Sequence, residues 1–195
     1  MPAHAAAPEV ASGSALGAGE RRVLLDIAHR AVEAAAHRVA PPDVDGALLP
    51  EALRDPHAAF VTLTRRGELR GCIGTLDFVR PLWASVLGAA RAAALDDPRF
   101  PPLEAAELAE VRLEISVLDP PVKLTDPATF DPATQGIIVE RGWARGLLLP
   151  QVAAERGWDG PTTLRAACRK AGLPATAWRD PQTSLEVFAS FHFGD

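Results

Sequence analysis

Two β-prone stretches, residues 60–64 and 69–75, stand on either side of Arg65-Arg66-Gly67-Glu68, and this arrangement constrains the fold more than any other part of the sequence. Gly67 can adopt the positive φ that a tight turn requires, so the two stretches are predicted to form a β-hairpin. Residues 20–40, in contrast, carry apolar side chains at the spacing of an amphipathic helix. The sequence therefore predicts an α+β fold in which an antiparallel β-sheet is flanked by helices.

The remaining elements follow from the same two periods and from the glycines and prolines that separate them. Residues 1–19, rich in Ala, Gly, Ser and Pro and without periodicity, are predicted to be a disordered leader, and residues 20–195 to form a single domain. Further helices are predicted near residues 50–55, 81–95, 103–108, 151–156 and 161–171. Further strands are predicted at residues 111–117, 136–140, 145–149 and 183–193, the second and third of them forming a hairpin.

Composition excludes several classes of protein. The chain has 195 residues, of which 48% are hydrophobic, enough for a sizeable core. Its net charge of −5 opposes binding to nucleic acid and to anionic membrane surfaces. No stretch approaches the roughly 18 apolar residues of a membrane-spanning helix, and residues 1–19 do not have the pattern of an export signal. We therefore expect a cytoplasmic protein, and since the two cysteines form no CxxC motif, we expect both thiols to be reduced.

The hexapeptide Leu69-Arg70-Gly71-Cys72-Ile73-Gly74 on the second strand of the hairpin is the strongest candidate for a functional site. Strict alternation puts Arg70 and Cys72 on one strand face, about 7 Å apart, when Leu69 and Ile73 enter the core. The guanidinium would then favour a thiolate and hold an anionic group of a substrate. Gly71 and Gly74 would let a ligand approach the backbone closely. A buried core cysteine and a glycine-rich β-bulge explain the same residues, and the residue pattern leaves these alternatives open.

Other chemistry finds little support in the sequence. The motifs of serine hydrolases, P-loop proteins, zinc proteases and dinucleotide-binding folds are absent. His29 and His37 are two helical turns apart, roughly 12 Å, too far for one metal ion. Cys168 falls on the apolar stripe of its helix, as expected of a core residue. We therefore predict no metal site and no cofactor.

Four stretches resemble the AMMECR family, also called AmmeMemoRadiSam system protein A. They are LRGCIGTL at residues 69–76, DPRFPPL at 97–103, LEISVLD at 113–119, and a long tract at 136–181 that includes GIIVERG, CRKAGLP and AWRDP. Trp143 is bulkier than the small or polar residue expected in its turn. The resemblance implies an α+β fold with a larger lobe holding both termini, a smaller lobe, and the first motif near the cleft between them.

The resemblance also implies partners and a set of site residues. The partners it implies are a Memo-like protein and a radical SAM protein. Apart from the resemblance, an unknown small molecule is expected as a ligand of the candidate site, and the net charge and hydropathy argue against binding to nucleic acid or membrane. The family-typical positions of this chain, which include the residues of the hexapeptide, are Arg70, Gly71, Cys72, Gly74, Asp97, Arg99, Glu114, Ser116, Glu140, Arg141 and Gln151. Thr75, directly after the hexapeptide, completes the candidate binding residues.

Two hypotheses of different classes follow. In the first, the protein is an enzyme or enzyme subunit in which Cys72 is a nucleophile or carrier thiol, Arg70 holds an anionic group, and Glu114 or Glu140 moves a proton. In the second, it is a non-catalytic partner or scaffold that docks on the Memo-like or radical SAM protein, with the glycine-rich strand as an edge or clamp.

Overall fold

The structure, a computed structural model, describes residues 16–195. The leader predicted over residues 1–19 therefore lies mostly outside the described residues. The boundary itself differs from the prediction, because Leu16 is only 4% exposed and the first helix already begins at Ala18. Arg21 donates from Nε to the carbonyl oxygen of Leu16 at 2.8 Å, which helps to hold the chain ahead of this helix.

The helices and strands occur in groups along the chain, with four 3₁₀ turns between them in the described residues. The helices are α1 (Ala18–Ala36), α2 (Glu51–Arg54), α3 (Leu82–Leu95), α4 (Pro150–Arg156) and α5 (Gly160–Lys170). The strands are β1 (Ala58–Arg65), β2 (Glu68–Gly74), β3 (Val111–Leu118), β4 (Val122–Lys123), β5 (Gly136–Arg141), β6 (Ala144–Leu148), β7 (Ser184–Phe188) and β8 (Ser190–Gly194). The mixed α+β class predicted from the sequence is confirmed.

The strands form two four-stranded sheets, in place of the single sheet that the sequence predicted. The first has the order β2-β1-β3-β8 and the second the order β4-β7-β5-β6. The described residues also divide into two compact units, one of residues 16–118 with Phe191–Asp195 and one of residues 119–190. Among residues 16–195, no helix combines the length and the apolar character needed to span a membrane.

Each unit has its own core. In the first unit, α1 and α3 pack against one face of the first sheet, and the buried residues include Leu24, Val86 and Ile115. In the second unit, α5 packs against β5 and β6, with Leu164 and Cys168 in the core. The amphipathic stripes predicted for α1, α3 and α5 therefore face the interior of their units.

The predicted hairpin of β1 and β2 is present, with a two-residue turn. Arg66 and Gly67 both have positive φ, 53° and 83°, as a tight turn that matches the twist of the strands requires. Leu63 lies opposite Gly71 but Thr64 lies opposite Leu69, so Arg70 is the extra residue of a β-bulge. The bulge interrupts the alternation predicted for β2, and Leu69 is 42% exposed instead of buried.

The strand predicted over residues 183–193 is two strands. β7 belongs to the second sheet and β8 to the first, and the chain changes sheet at Ala189. The alternating pattern looked continuous in sequence because both strands bury one face, and nothing in the pattern marks the transfer between sheets.

Candidate functional site

β2 is an edge strand, and the loop after α3 covers its free edge. The buried carboxylate of Asp97 accepts a hydrogen bond from the backbone N–H of Cys72 at 2.8 Å. Nη2 of Arg99 donates to the carbonyl oxygen of Cys72 at 3.4 Å. Two side chains thus take the place of a neighbouring strand, which protects part of an edge that would otherwise be open for pairing.

Asp97 and Arg99 also bind each other. Nε and Nη2 of Arg99 donate to the two oxygens of Asp97 at 2.9 and 2.7 Å. These hydrogen bonds, with those from the backbone of Cys72 and Arg99, hold the pKa of the Asp97 carboxyl far below its usual range although burial opposes the shift. Hydrogen bonding to Asp97 likewise raises the pKa of Arg99. The pair is therefore ionised over the physiological range.

Arg70, the bulge residue, is fully engaged. Its Nε and Nη2 donate to the two carboxylate oxygens of Glu107 at 2.9 and 2.8 Å, and its Nη1 donates to the carbonyl oxygen of Pro101 at 2.9 Å. Only 12% of the Arg70 side chain is exposed. The hydrogen bonds from Arg70 lower the pKa of Glu107 to about 2. This geometry orders the loop against β2 and leaves Arg99, whose side chain is 53% exposed, as the more accessible guanidinium beside Cys72.

Cys72 lies in a row of side chains that crosses the sheet. Thr62 lies opposite both Cys72 on β2 and Glu114 on β3, and its hydroxyl donates to Sγ of Cys72 at 3.3 Å. The row is on the face away from α1 and α3, because the alternate residues of β1 and β3 enter the core. Since neighbouring strands lie about 4.8 Å apart, the backbones at Cys72 and Glu114 are roughly 10 Å apart. Thr62 therefore stands between the two backbones, and the roles predicted for Cys72 and Glu114 stay predictions.

Ser116 is buried and lies opposite Phe60, two positions along β3 from Glu114. Its side chain shares the face of the cysteine row but not the row itself.

The two glycines of the hexapeptide are required by close packing. A Cβ on Gly71 would lie 2.2 Å from the carbonyl oxygen of Ala93 in α3, and one on Gly74 would lie 2.2 Å from the ring of Phe60. Gly71 therefore allows α3 to pack against β2, which explains it without a ligand. Gly74 differs, because its backbone also lines a pocket.

That pocket has a volume of about 200 Å³ and lies between the end of β2 and α3. Gly74, Thr75 and Ile73 form one wall, and Ser85, Gly88 and three alanines of α3 form the other; Arg80 lies at the rim. Ser85 is only 3% exposed, and its hydroxyl has no hydrogen-bond partner among the described residues. Buried hydroxyl groups are seldom left without a partner, so this side chain is the clearest sign of a ligand in the first unit.

The other three predicted site residues belong to the second unit. Glu140 forms an ion pair with Arg145 at 3.4 Å, and Arg141 one with Asp180 at 3.0 Å. Gln151 is half-buried near the start of α4. These three residues therefore form contacts within the second unit. The candidate residues that the structure brings together in the first unit come from β2, β3 and the loop after α3.

Sequence reasoning missed Thr62, Ser85 and Glu107. The register of the hairpin could have indicated Thr62, since it lies opposite Cys72, but Ser85 and Glu107 depend on tertiary contacts that no local pattern reveals. Among residues 16–195, His, Cys, Asp and Glu do not gather in any group of three suited to a metal ion.

Comparison with known proteins gives concordant results. The sequence model of the AMMECR1 family matches residues 25–193. A protein of Methanothermobacter thermautotrophicus is 43% identical over 188 residues, covering 91% of this chain and 96% of its own length. A protein of Thermococcus kodakarensis is 41% identical over 179 residues, with 86% of each chain covered. The crystal structure of an uncharacterized protein from Pyrococcus horikoshii superimposes with a TM-score of 0.84 at 35% identity, covering 92% of this chain and 93% of that one.

Proposed function

The chain belongs to the AMMECR1 family, and from that premise we propose that it is a small-molecule-binding component of a system that includes a Memo-like protein and a radical SAM protein. The ligand site lies beside the LRGCIG strand. The observation that carries the proposal is the buried, unpartnered hydroxyl of Ser85 in the pocket at the end of β2.

The backbone of β2 adds polar groups to this pocket. The N–H of Cys72 donates to Asp97 and that of Thr75 donates to Ala59 of β1. Because backbone groups alternate in direction along an antiparallel strand, the N–H and C=O of Gly74 point away from β1. With Ser85, they offer a ligand both donors and acceptors of hydrogen bonds.

The size and lining of the pocket restrict the ligand. A volume of about 200 Å³ is below the roughly 300–1,000 Å³ typical of drug-sized ligands, so a small molecule or one polar group of a larger molecule fits. Apart from Ser85, the residues that α3 contributes to the wall are glycine and alanine, which are small and apolar. Arg80 at the rim is an exposed cation, paired with Asp77 at 3.3 Å, and favours a ligand with an electronegative group at the pocket mouth.

Filling the pocket tests this function. A Cβ on Gly88 meets nothing within 4 Å, so Gly88→Leu should occupy the pocket without disturbing the backbone of α3. Gly19→Leu in α1 is the matched control, because its Cβ also meets nothing within 4 Å and it lies outside the pocket. We expect ligand-observed NMR with the small-molecule fraction of a cell extract to show the same bound signals for wild type and Gly19→Leu, and to lose them for Gly88→Leu. Identical signals for Gly88→Leu, or none for wild type, would contradict the proposal.

Cys72 is the candidate nucleophile in the same region of the structure. Its thiol faces the side of β2 opposite to α3, so a covalent reaction would take place on the outer face, beside Thr62 and Glu114. Cys72→Ser keeps the hydrogen bond from Thr62 but removes the nucleophile. Unchanged pathway output in cells that carry this variant would rule out a nucleophilic or carrier role.

A second candidate function is docking on the Memo-like or radical SAM protein, and the exposure of Trp143 favours it. Trp143 follows Gly142 in the tight turn between β5 and β6, and its side chain is completely exposed. Tryptophan is enriched at the energetic centres of protein interfaces. We expect Trp143→Ala to weaken co-purification with a partner under reducing, anaerobic conditions, whereas Leu48→Ala, at another exposed apolar position, should not.

A further inference from the structure

A second pocket, of about 500 Å³, lies within the second unit. Its walls come from β4 and the loop that follows it, from the turn at residues 177–181, and from the start of β7. Four side chains matter for the argument, namely Lys123, Trp178, Arg179 and Thr183. None of them belongs to the site proposed above.

Two buried polar groups of this pocket have no partner. Thr183 is 8% exposed and its hydroxyl makes no hydrogen bond within residues 16–195; the indole N–H of Trp178 is also buried and unpartnered in the same part of the chain. Leaving such a group unsatisfied destabilises the folded protein. Both residues line this pocket, and a ligand that accepts hydrogen bonds would satisfy their donor groups.

The charge of the pocket is positive. Lys123 and Arg179 both line it, and neither forms an ion pair with any residue that the structure describes. The guanidinium of Arg179 lies 4.2 Å from the ring centre of Trp178, which holds it in place by a cation–π contact. The one carboxylate in the lining, that of Asp180, is bound by Arg141 at 3.0 Å and by the N–H of Gln182 at 2.9 Å.

We propose that this pocket binds a small molecule through an oxyanion, either a carboxylate or a phosphate group. The indole N–H of Trp178 and the hydroxyl of Thr183 donate to the oxyanion, and Lys123 and Arg179 balance its charge. The volume lies within the range of small-molecule sites, so the ligand extends beyond the oxyanion itself.

Titration with simple anions tests the proposal. The indole ¹H–¹⁵N signal of Trp178, assigned with Trp178→Phe, should move saturably with inorganic phosphate or with acetate and not with chloride at equal ionic strength. The anion whose binding saturates at the lower concentration shows whether the site prefers a phosphate group or a carboxylate. A signal that stays still, or that moves equally with chloride, overturns the proposal.

Substitutions distinguish side chains that bind the anion from side chains that only stabilise the fold. Arg179→Gln should weaken anion binding at least tenfold and Thr183→Val several-fold, whereas Arg169→Gln, an exposed cation of α5 outside the pocket, should leave it unchanged. Because the Thr183 hydroxyl has no internal partner, Thr183→Val should not lower the melting temperature. A lowered melting temperature, or wild-type anion affinity in both pocket variants, would count against the site.

Discussion

Cys72 and Cys168, the two thiols of the chain, lie in opposite surroundings. Cys72 is partly exposed on the outer face of an edge strand, while Cys168 is fully buried between α5 and the second sheet. Burial raises the pKa of the Cys168 thiol, which reduces its thiolate fraction at neutral pH. The reactivity of Cys72 can therefore be compared with that of a buried thiol, Cys168, in the same molecule.

We predict that iodoacetamide modifies Cys72 of the native protein much faster than Cys168, because only Cys72 is accessible. Residue-resolved mass spectrometry over a time course measures both rates. Cys72→Ser should abolish the fast modification and leave the slow one. Comparable rates at the two cysteines would contradict the accessibility seen in the structure.

The ion pair between Arg70 and Glu107 predicts a pH dependence of stability. Glu107 is 14% exposed, and its pKa falls from 4.5 to about 2 on folding. A carboxyl whose pKa is lowered by folding adds stability above its unfolded pKa and loses that contribution as the pH falls through the folded pKa. The shift corresponds to at most about 3 kcal/mol.

We therefore expect Glu107→Gln to lower the free energy of unfolding by up to about 3 kcal/mol at pH 7 and by far less at pH 2. At pH 2 the carboxyl of the unfolded wild-type protein is protonated, so the lowered pKa of the folded state adds little stability. Urea denaturation at the two pH values measures the difference. Glu110→Gln is the control: Glu110 pairs with Arg65 and Arg66 in a more exposed position, so its loss should matter much less. An equal effect of Glu107→Gln at both pH values would show that the ion pair is not its cause.

At the scale of elements, β2 shows how far local patterns can predict this site. The two-residue turn at Arg66 and Gly67 and the strands beside it followed from alternation and turn chemistry. A bulge was one of the alternatives that the glycines left open, but its position at Arg70 did not follow from the pattern; the Arg70 side chain there reaches Glu107 in a later 3₁₀ turn. The predicted pairing of Arg70 with Cys72 assumed an unbroken strand, and a contact distant in sequence decides where this guanidinium lies.

The packing of α3 on β2 predicts opposite effects for two glycines. Gly71→Ala should destabilise the protein by about 1–3 kcal/mol, because its Cβ would lie 2.2 Å from the carbonyl oxygen of Ala93. Gly88→Ala should stabilise it by about 0.5–1 kcal/mol, since the Cβ meets nothing and alanine favours the helix. Thermal and urea unfolding of both variants test the prediction, and a change of the same sign in both would contradict it.

At the scale of the whole molecule, the α+β class was predictable because helical and strand periods are both clear in the sequence. The number of sheets was not. β5 and β6 read as a hairpin in the same way as β1 and β2, and only the pairing of β7 with β5 and of β8 with β3 assigns the two hairpins to separate sheets. Pairing between distant strands leaves no mark on the period of either strand.

The overall charge also leads to a prediction. With a net charge of −5, the protein should not bind nucleic acid at physiological salt. Fluorescence anisotropy of a labelled single-stranded RNA should stay constant at protein concentrations up to the micromolar range. Binding that weakens steeply as salt is added would reveal a local basic surface and contradict the prediction.

The position of β8 has a consequence for how the protein is made. β3 can pair with β8 only after the ribosome has synthesised the whole of the second unit, so the outer edge of β3 stays open while that unit is being made. An open, apolar strand edge is a template for pairing with other chains. Nascent chains halted before Ser190 are therefore the form of this protein most prone to aggregate and most dependent on chaperones.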